Sequence, residues 1–199
     1  MRTQVEKKKK FGWDRGVEFT EMKKKLEKMI DEFSQKDNSQ AVIGSFYSFT
    51  AYLQLLHGLR AQEALEAALK FTFESRGERE VMVKVRKKKK PETRLVFLPP
   101  RISRKFLKGL SRRAEILAIK ERFERDSWKA AKSYQNWCRK HLKVNSHALR
   151  YSFVVHLSQR GVSPQLIARI TAHSRLDYIL RYTSQIKAEE LLREVVGVG

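Results

Sequence analysis

Between Asn38 and Leu59 the chain runs 22 residues without a formally charged side chain, and Arg60 ends the run. A stretch that long without charge either crosses a bilayer or lies inside a protein with neighbours on every side. Ser45, Ser48, Thr50 and Gln54 break its hydrocarbon character, and the flanks show no asymmetry of basic residues that would orient an insertion. Val42, Phe46, Phe49, Leu53 and Leu56 recur at helical spacing, with further apolar residues on the other faces. The segment is therefore expected to be a central buried helix.

The rest of the chain supplies what would surround it. Residues 1–16, with the run Lys7–Lys10, read as a basic lead-in. A helix is expected from about Phe19, with Thr20 as N-cap and Met22, Leu26, Met29, Ile30 and Phe33 on one face. Gln35–Gln40 is a polar loop, and Ala61–Leu69 gives a short helix. Glu80–Val85 alternates in strand fashion, Lys87–Lys90 and Pro91 form a basic turn, and Arg94–Leu98 is a second strand. From Ser103 onward helical patterns dominate, with breaks near Asn145, Gly161 and Ser174. The fold class is mainly α with a small antiparallel β-hairpin.

Charge narrows the partner. The 199 residues include 43 Lys and Arg against 22 Asp and Glu, a formal net charge of +21. A compact body with that excess repels itself unless it meets a polyanion, and nucleic acid is the default. An anionic membrane surface would need a basic amphipathic helix with a free apolar face, and no segment stands out as one. The charged start of the chain lacks a signal-peptide core, and the single cysteine, Cys138, has no disulfide partner in the chain. A cytoplasmic, nucleoid-associated location is the expectation. Cys138 and His141 with His147 have irregular spacing for zinc, which makes a metal site the weaker reading. The nine glycines form no Walker-type loop, and no compact acidic cluster offers a two-metal centre.

Three constellations could carry chemistry. In Gly58-Leu59-Arg60-Ala61-Gln62-Glu63 an arginine ends the uncharged run, and Glu63 lies one helical turn on, placed to orient the guanidinium. Ser146 reads as the N-cap of a helix carrying His147 and Arg150 on one face near a positive helix terminus, a pairing suited to a phosphate oxyanion. Third, His173 in Ala172-His173-Ser174 is followed nine residues later by Tyr182. Each alone is an ordinary surface or packing feature. Taken in order, GLRAQE, the Lys87–Lys90 turn, HALRYSF, TAHS and LRYT over residues 58–183 resemble the tyrosine recombinase (phage-integrase) family. Within it the chain looks most like the integrases of archaeal viruses and plasmids.

The resemblance implies a DNA breaking-and-rejoining catalytic domain over residues 17–185, with 186–199 as a tail able to dock on a neighbouring subunit. It implies double-stranded DNA bearing an attachment site as substrate, a tetramer on that DNA, and no metal, ATP or small-molecule cofactor. Tyr182 would attack a phosphate to form a 3′-phosphotyrosine, with His147 as proton acceptor. Arg60 and Arg150 would hold phosphate oxygens, His173 would add a hydrogen bond, and a hairpin lysine would protonate the 5′-oxygen. Counting back from Arg94 points to Lys89, with Lys88 and Lys90 as alternatives. Two departures stand out: Ala172 replaces the family's usual glycine, and no room remains for the usual N-terminal DNA-clamping domain. Tyr178 is the rival nucleophile, while Tyr151 is expected to pack behind Arg150. Trp128 and Trp137 are expected in the core rather than as base-stacking platforms. Rival readings are a type IB topoisomerase and, from another class, a helix-turn-helix regulator built on Gly161 to Tyr182.

Overall fold

Helix α2 (Ser39–His57) is buried along every residue from Gly44 to Leu55, as expected for the uncharged run. In the computed structural model, which describes residues 17–75, 77–86, 91–173, 179 and 195–196, it packs most extensively against four other helices. These are α1 (Phe19–Ser34), α3 (Ala61–Phe73), α5 (Ala114–Arg125) and α7 (Ser146–Gln159). Among the described residues no helix is long and apolar enough to cross a membrane. The polar residues of α2 are mostly bonded inside the body. Thr50 Oγ1 donates to the Phe46 carbonyl at 2.8 Å, and Gln54 bridges Tyr134 Oη and the Leu59 carbonyl at 2.6 and 3.1 Å. Such bonds offset the desolvation that burying an amide costs.

Helix α1 lays Met22, Leu26 and Ile30 on α2, with Met29 and Phe33 half-buried beside them. Its N-cap is Glu18 and not Thr20. The Glu18 carboxylate accepts from the amides of Thr20 and Glu21, and a carboxylate complements the positive helix terminus better than a hydroxyl. Helix α3 runs further than its apolar pattern suggested, to Phe73.

The hairpin pairs β1 (Glu80–Lys84) with β2 (Thr93–Phe97) in antiparallel register, Val83 opposite Arg94 and Val81 opposite Val96. Val83 and Val96 face the core, so Arg94, two residues before Val96, points the same way. Lys89 and the whole Lys87–Lys90 turn lie outside the described residues.

Helix α4 (Arg104–Ser111) precedes α5, and α6 (Ser127–Trp137) follows it. Helix α6 runs into a π-helical turn, Cys138–Leu142, which ends at Lys143 with φ of 62°. Helix α7 is then capped by Asn145, not Ser146: Asn145 Oδ1 accepts from the His147 amide at 3.2 Å, and Ser146 is the first helical residue. Helix α8 (Pro164–Thr171) starts with Ser163 as N-cap and closes at Ala172. Of the two tryptophans expected inside, Trp137 is 8% exposed but Trp128 is 61% exposed. The difference follows from position, since Trp137 falls on the inner face of α6 with Ala130 and Tyr134 and Trp128 on the outer.

Candidate active site

The junction from α2 to α3 builds the first part of the site. Helix α2 ends because Gly58 takes the left-handed conformation, φ 59° and ψ 38°. A side chain there would place its Cβ 2.5 Å from Phe153 Cδ1, so glycine is demanded twice over. The turn sets Arg60 at the N-cap position of α3, where it has no acceptor to offer. Only the reverse half of a capping box forms: Glu63 accepts from the Arg60 amide at 3.0 Å and from its Nη1 at 2.9 Å. Arg60 Nη2 also donates to the Ala172 carbonyl at 3.3 Å.

Glu63 is fully buried. Burial pushes its carboxyl up, but the Arg60 amide, the Arg60 charge and the Arg86 amide outweigh that and hold it below the usual range. Arg94 Nη1 lies 3.6 Å from its Oε2, and Arg94 Nη2 donates to the His57 carbonyl. Next to it Glu66 pairs with Arg86 at 2.7 Å and accepts from the Lys84 amide at 3.1 Å. The base of the hairpin thus hangs on two carboxylates of α3. Neither Arg94 nor Glu66 was singled out from the sequence. The signal for Arg94 was there, a charged residue in the inward register of Val96.

Arg150 is 1% exposed, among the largest fully buried side chains of the described residues. Its Nη1 donates to the Gly58 carbonyl at 2.6 Å and its Nη2 to the Thr171 carbonyl at 2.8 Å. Both acceptors flank left-handed residues, Gly58 and Ala172, whose turns aim the carbonyls inward. Ala172, with φ of 53°, therefore occupies a position where the missing glycine would have been the unstrained choice. Burial, then repulsion from Arg60, lowers the Arg150 pKa to about 9, which still leaves it charged at neutral pH.

His173 follows directly on that turn. Thr171 Oγ1 gives its proton to the Ile167 carbonyl at 2.6 Å and lies 2.5 Å from His173 Nδ1. Arg150 Nη2 approaches the same ring, 3.1 Å from Nδ1 and 3.2 Å from Nε2. Burial and the positive charges of Arg150 and Arg60 depress its pKa to about 3, so the ring is neutral. His147, one turn before Arg150, meets the Tyr151 ring edge-on at 4.7 Å between centroids. Tyr151 thus packs on His147, and its phenol is also among the groups that act electrostatically on Arg150.

The structure brings Arg60, His147, Arg150 and His173 together. Three guanidinium groups, those of Arg60, Arg86 and Arg94, pair with two carboxylates, Glu63 and Glu66, and a fourth, that of Arg150, is held on backbone carbonyls beside them. Nε of Arg86, Arg94 and Arg150 is buried with no hydrogen-bond acceptor among the described residues. A cluster with surplus positive charge and unused donors is built to take an anion. Tyr182 and Tyr178 lie outside the described residues. Ile179 is described, and is buried with Val154 and Ile167 against α7 and α8. Among the described residues no group of three His, Cys, Asp or Glu could hold a metal ion. Cys138 itself is buried, with its thiol pushed up to about 12.

Comparison with known proteins agrees with this geometry. The model of the phage integrase family matches residues 21–189. A protein of Acidianus two-tailed virus, provisionally named an integrase, is 31% identical over 92% of this chain and 68% of its own. An uncharacterized protein of Methanocaldococcus jannaschii is 29% identical over 92% of this chain and 88% of its own. Among solved structures, the XerH site-specific recombinase bound to its palindromic difH substrate in a post-cleavage complex superposes with a TM-score of 0.52. That match has 18% identity and covers 94% of this chain, which spans 54% of the XerH chain. With motif order, fold and family model in agreement, the chain belongs to the phage integrase family of tyrosine recombinases.

Proposed function

We propose that this protein cleaves and rejoins duplex DNA at a specific site, integrating or excising a mobile element through a 3′-phosphotyrosine on Tyr182. The observation that carries this reading is the surplus of guanidinium groups around Glu63, with Arg150 held rigidly on two backbone carbonyls. Arg60 and Arg150 bind the non-bridging oxygens of the scissile phosphate and stabilise the charge that grows in the pentavalent transition state. His147 takes the Tyr182 proton as the phenol oxygen attacks phosphorus. The bond from phosphorus to the 5′-oxygen breaks, and Lys89 supplies the proton that oxygen needs. Reversal with a different 5′-hydroxyl reseals the strand. Because bond energy is kept in the phosphotyrosine, neither ATP nor a metal is required.

His173 is neutral in the DNA-free site, beside Thr171 and Arg150. A phosphate beside it favours protonation, and the imidazolium then gains a second donor for the phosphate oxygen. Residues 17–185 form the catalytic domain on this reading, and the tail 186–199 docks on a neighbouring subunit to build a tetramer on DNA. Ile179 ties the chain onto α7 and α8 three residues before Tyr182.

The test is strand exchange between two differently labelled duplexes carrying the element's junction, run in EDTA without ATP. Recombinant duplexes are the expected product. Relaxation of a supercoiled plasmid without exchange would instead make the protein a type IB topoisomerase. Deleting residues 186–199 should weaken assembly on DNA, and unchanged assembly would contradict the tail's role.

A further inference from the structure

We infer that the outward stripe of α6 and its π-helical extension reads base identity, with Gln135 and Arg139 on base edges and Trp128 packed against the duplex beside them. The inference rests on duplex DNA being the substrate at Arg60. Trp128, Lys132, Gln135 and Arg139 are spaced four, three and four residues apart, which puts them on one narrow line of a helix. The opposite face of α6 is spent on the core through Ala130, Tyr134 and Trp137. Trp128 instead stands 61% exposed at the head of the stripe, with Lys132 Nζ 5.1 Å from its ring centre.

The stripe is continuous with the site. Trp128, Gln135 and Arg139 line the same groove, of about 360 Å³, as Arg60, Gln62 and His147. No carboxylate lines it, whereas grooves elsewhere on the surface include Asp37, Glu74 or Glu115. In a chain with 22 acidic residues, that distribution fits an extended polyanion running from the arginine cluster across α6.

The residue types say more than phosphate binding. Lysines and arginines alone would serve a backbone, but Gln135 offers a donor and an acceptor on one planar group. That pairing matches the N6 and N7 edge of adenine, and a guanidinium matches O6 and N7 of guanine. A helix of about 10–12 Å diameter also fits a major groove about 12 Å wide. Trp128 adds an apolar face suited to a thymine methyl or a deoxyribose, and Lys132 a phosphate contact.

The test is a binding selection on the full chain with a library of duplexes randomised on both sides of a fixed nick, the bound fraction being sequenced. The wild type should enrich particular bases near the nick. Gln135→Ala should flatten the preference at one or two adjacent positions by roughly tenfold, and Arg139→Ala at a neighbouring one. Gln135→Glu, which can only accept, should move that preference toward cytosine, an exchange that simple loss of packing cannot produce. Lys132→Ala should keep the profile and lower affinity uniformly. Wild-type base profiles in both Gln135 variants and in Arg139→Ala would overturn the assignment. So would a wild type without preference, or single strands bound as tightly as duplex. Covalent adducts scored in the same tubes separate the two claims. Altered profiles without adducts would refute strand transfer and leave α6 as a reader; adducts with unaltered profiles would do the reverse.

Discussion

Arg150 is held by the carbonyls of Gly58 and Thr171, oriented by the left-handed backbone at Gly58 and Ala172, so small changes there should have large effects. Gly58→Ala forces a β-carbon into Phe153 at a positive φ. It should cost roughly 2 kcal/mol or more of stability by denaturant unfolding and misplace the Gly58 carbonyl under Arg150. Arg150→Lys keeps the charge but cannot span Gly58 and Thr171 together, and should slow DNA cleavage by about a hundredfold or more while DNA binding changes far less. Two half-buried histidines give a pH signature. His57 donates from Nδ1 to the Leu53 carbonyl and accepts from the Phe97 amide, and burial lowers its pKa to about 4. With a folded value below the unfolded one, the unfolded chain binds the extra proton first, so stability falls as pH drops from about 6.5 toward 4. The slope from His57 should approach about 1.4 kcal/mol per pH unit. His173 adds in the same direction. Urea midpoints that stay flat between pH 6.5 and 4.5 would contradict both assignments.

The hairpin and α3 behave as one element, because Glu63 and Glu66 receive contacts from Arg86, Arg94 and Lys84 as well as Arg60. Glu63→Gln removes the buried negative charge between Arg60 and Arg94, and should cost about 3–5 kcal/mol, the usual scale for one half of a buried pair. Thermal unfolding with and without a short duplex checks this, and the added DNA phosphate should restore part of the loss. This element also shows what was legible beforehand. The two strands and the i,i+3 pairing of Arg60 with Glu63 could be read from alternation and spacing. Arg94 was legible only as a charge in the inward register of Val96, and Glu66 was not legible at all, since its pairing with Arg86 arises only when the sheet folds onto α3. Helix α6 failed differently. Its periodicity was visible, but which face met the core was not, and Trp128 was placed inside on residue type alone. The N-caps at Glu18 and Asn145 show the same limit on a smaller scale, with the acceptor one or two residues from the favoured hydroxyl.

For the whole molecule the net charge of +21 has a direct consequence. DNA affinity should fall steeply with salt, each phosphate neutralised adding about 0.9 to the slope of log affinity against log salt. Lys132→Ala should lower that slope by about one. The central claim, however, is covalent chemistry at Tyr182, and one experiment addresses it most directly. The full chain and its Tyr182→Phe variant are mixed, without metal, with junction DNA carrying a nick beside the scissile phosphate. A short cleaved fragment then diffuses away, and the adduct accumulates. A protein–DNA adduct that survives SDS in the wild type and vanishes in the variant is the predicted result. An adduct that persists in Tyr182→Phe would contradict the account by moving the nucleophile, with Tyr178 next to test. No adduct at all, despite tight salt-dependent binding, would contradict strand transfer itself and leave a DNA-binding protein.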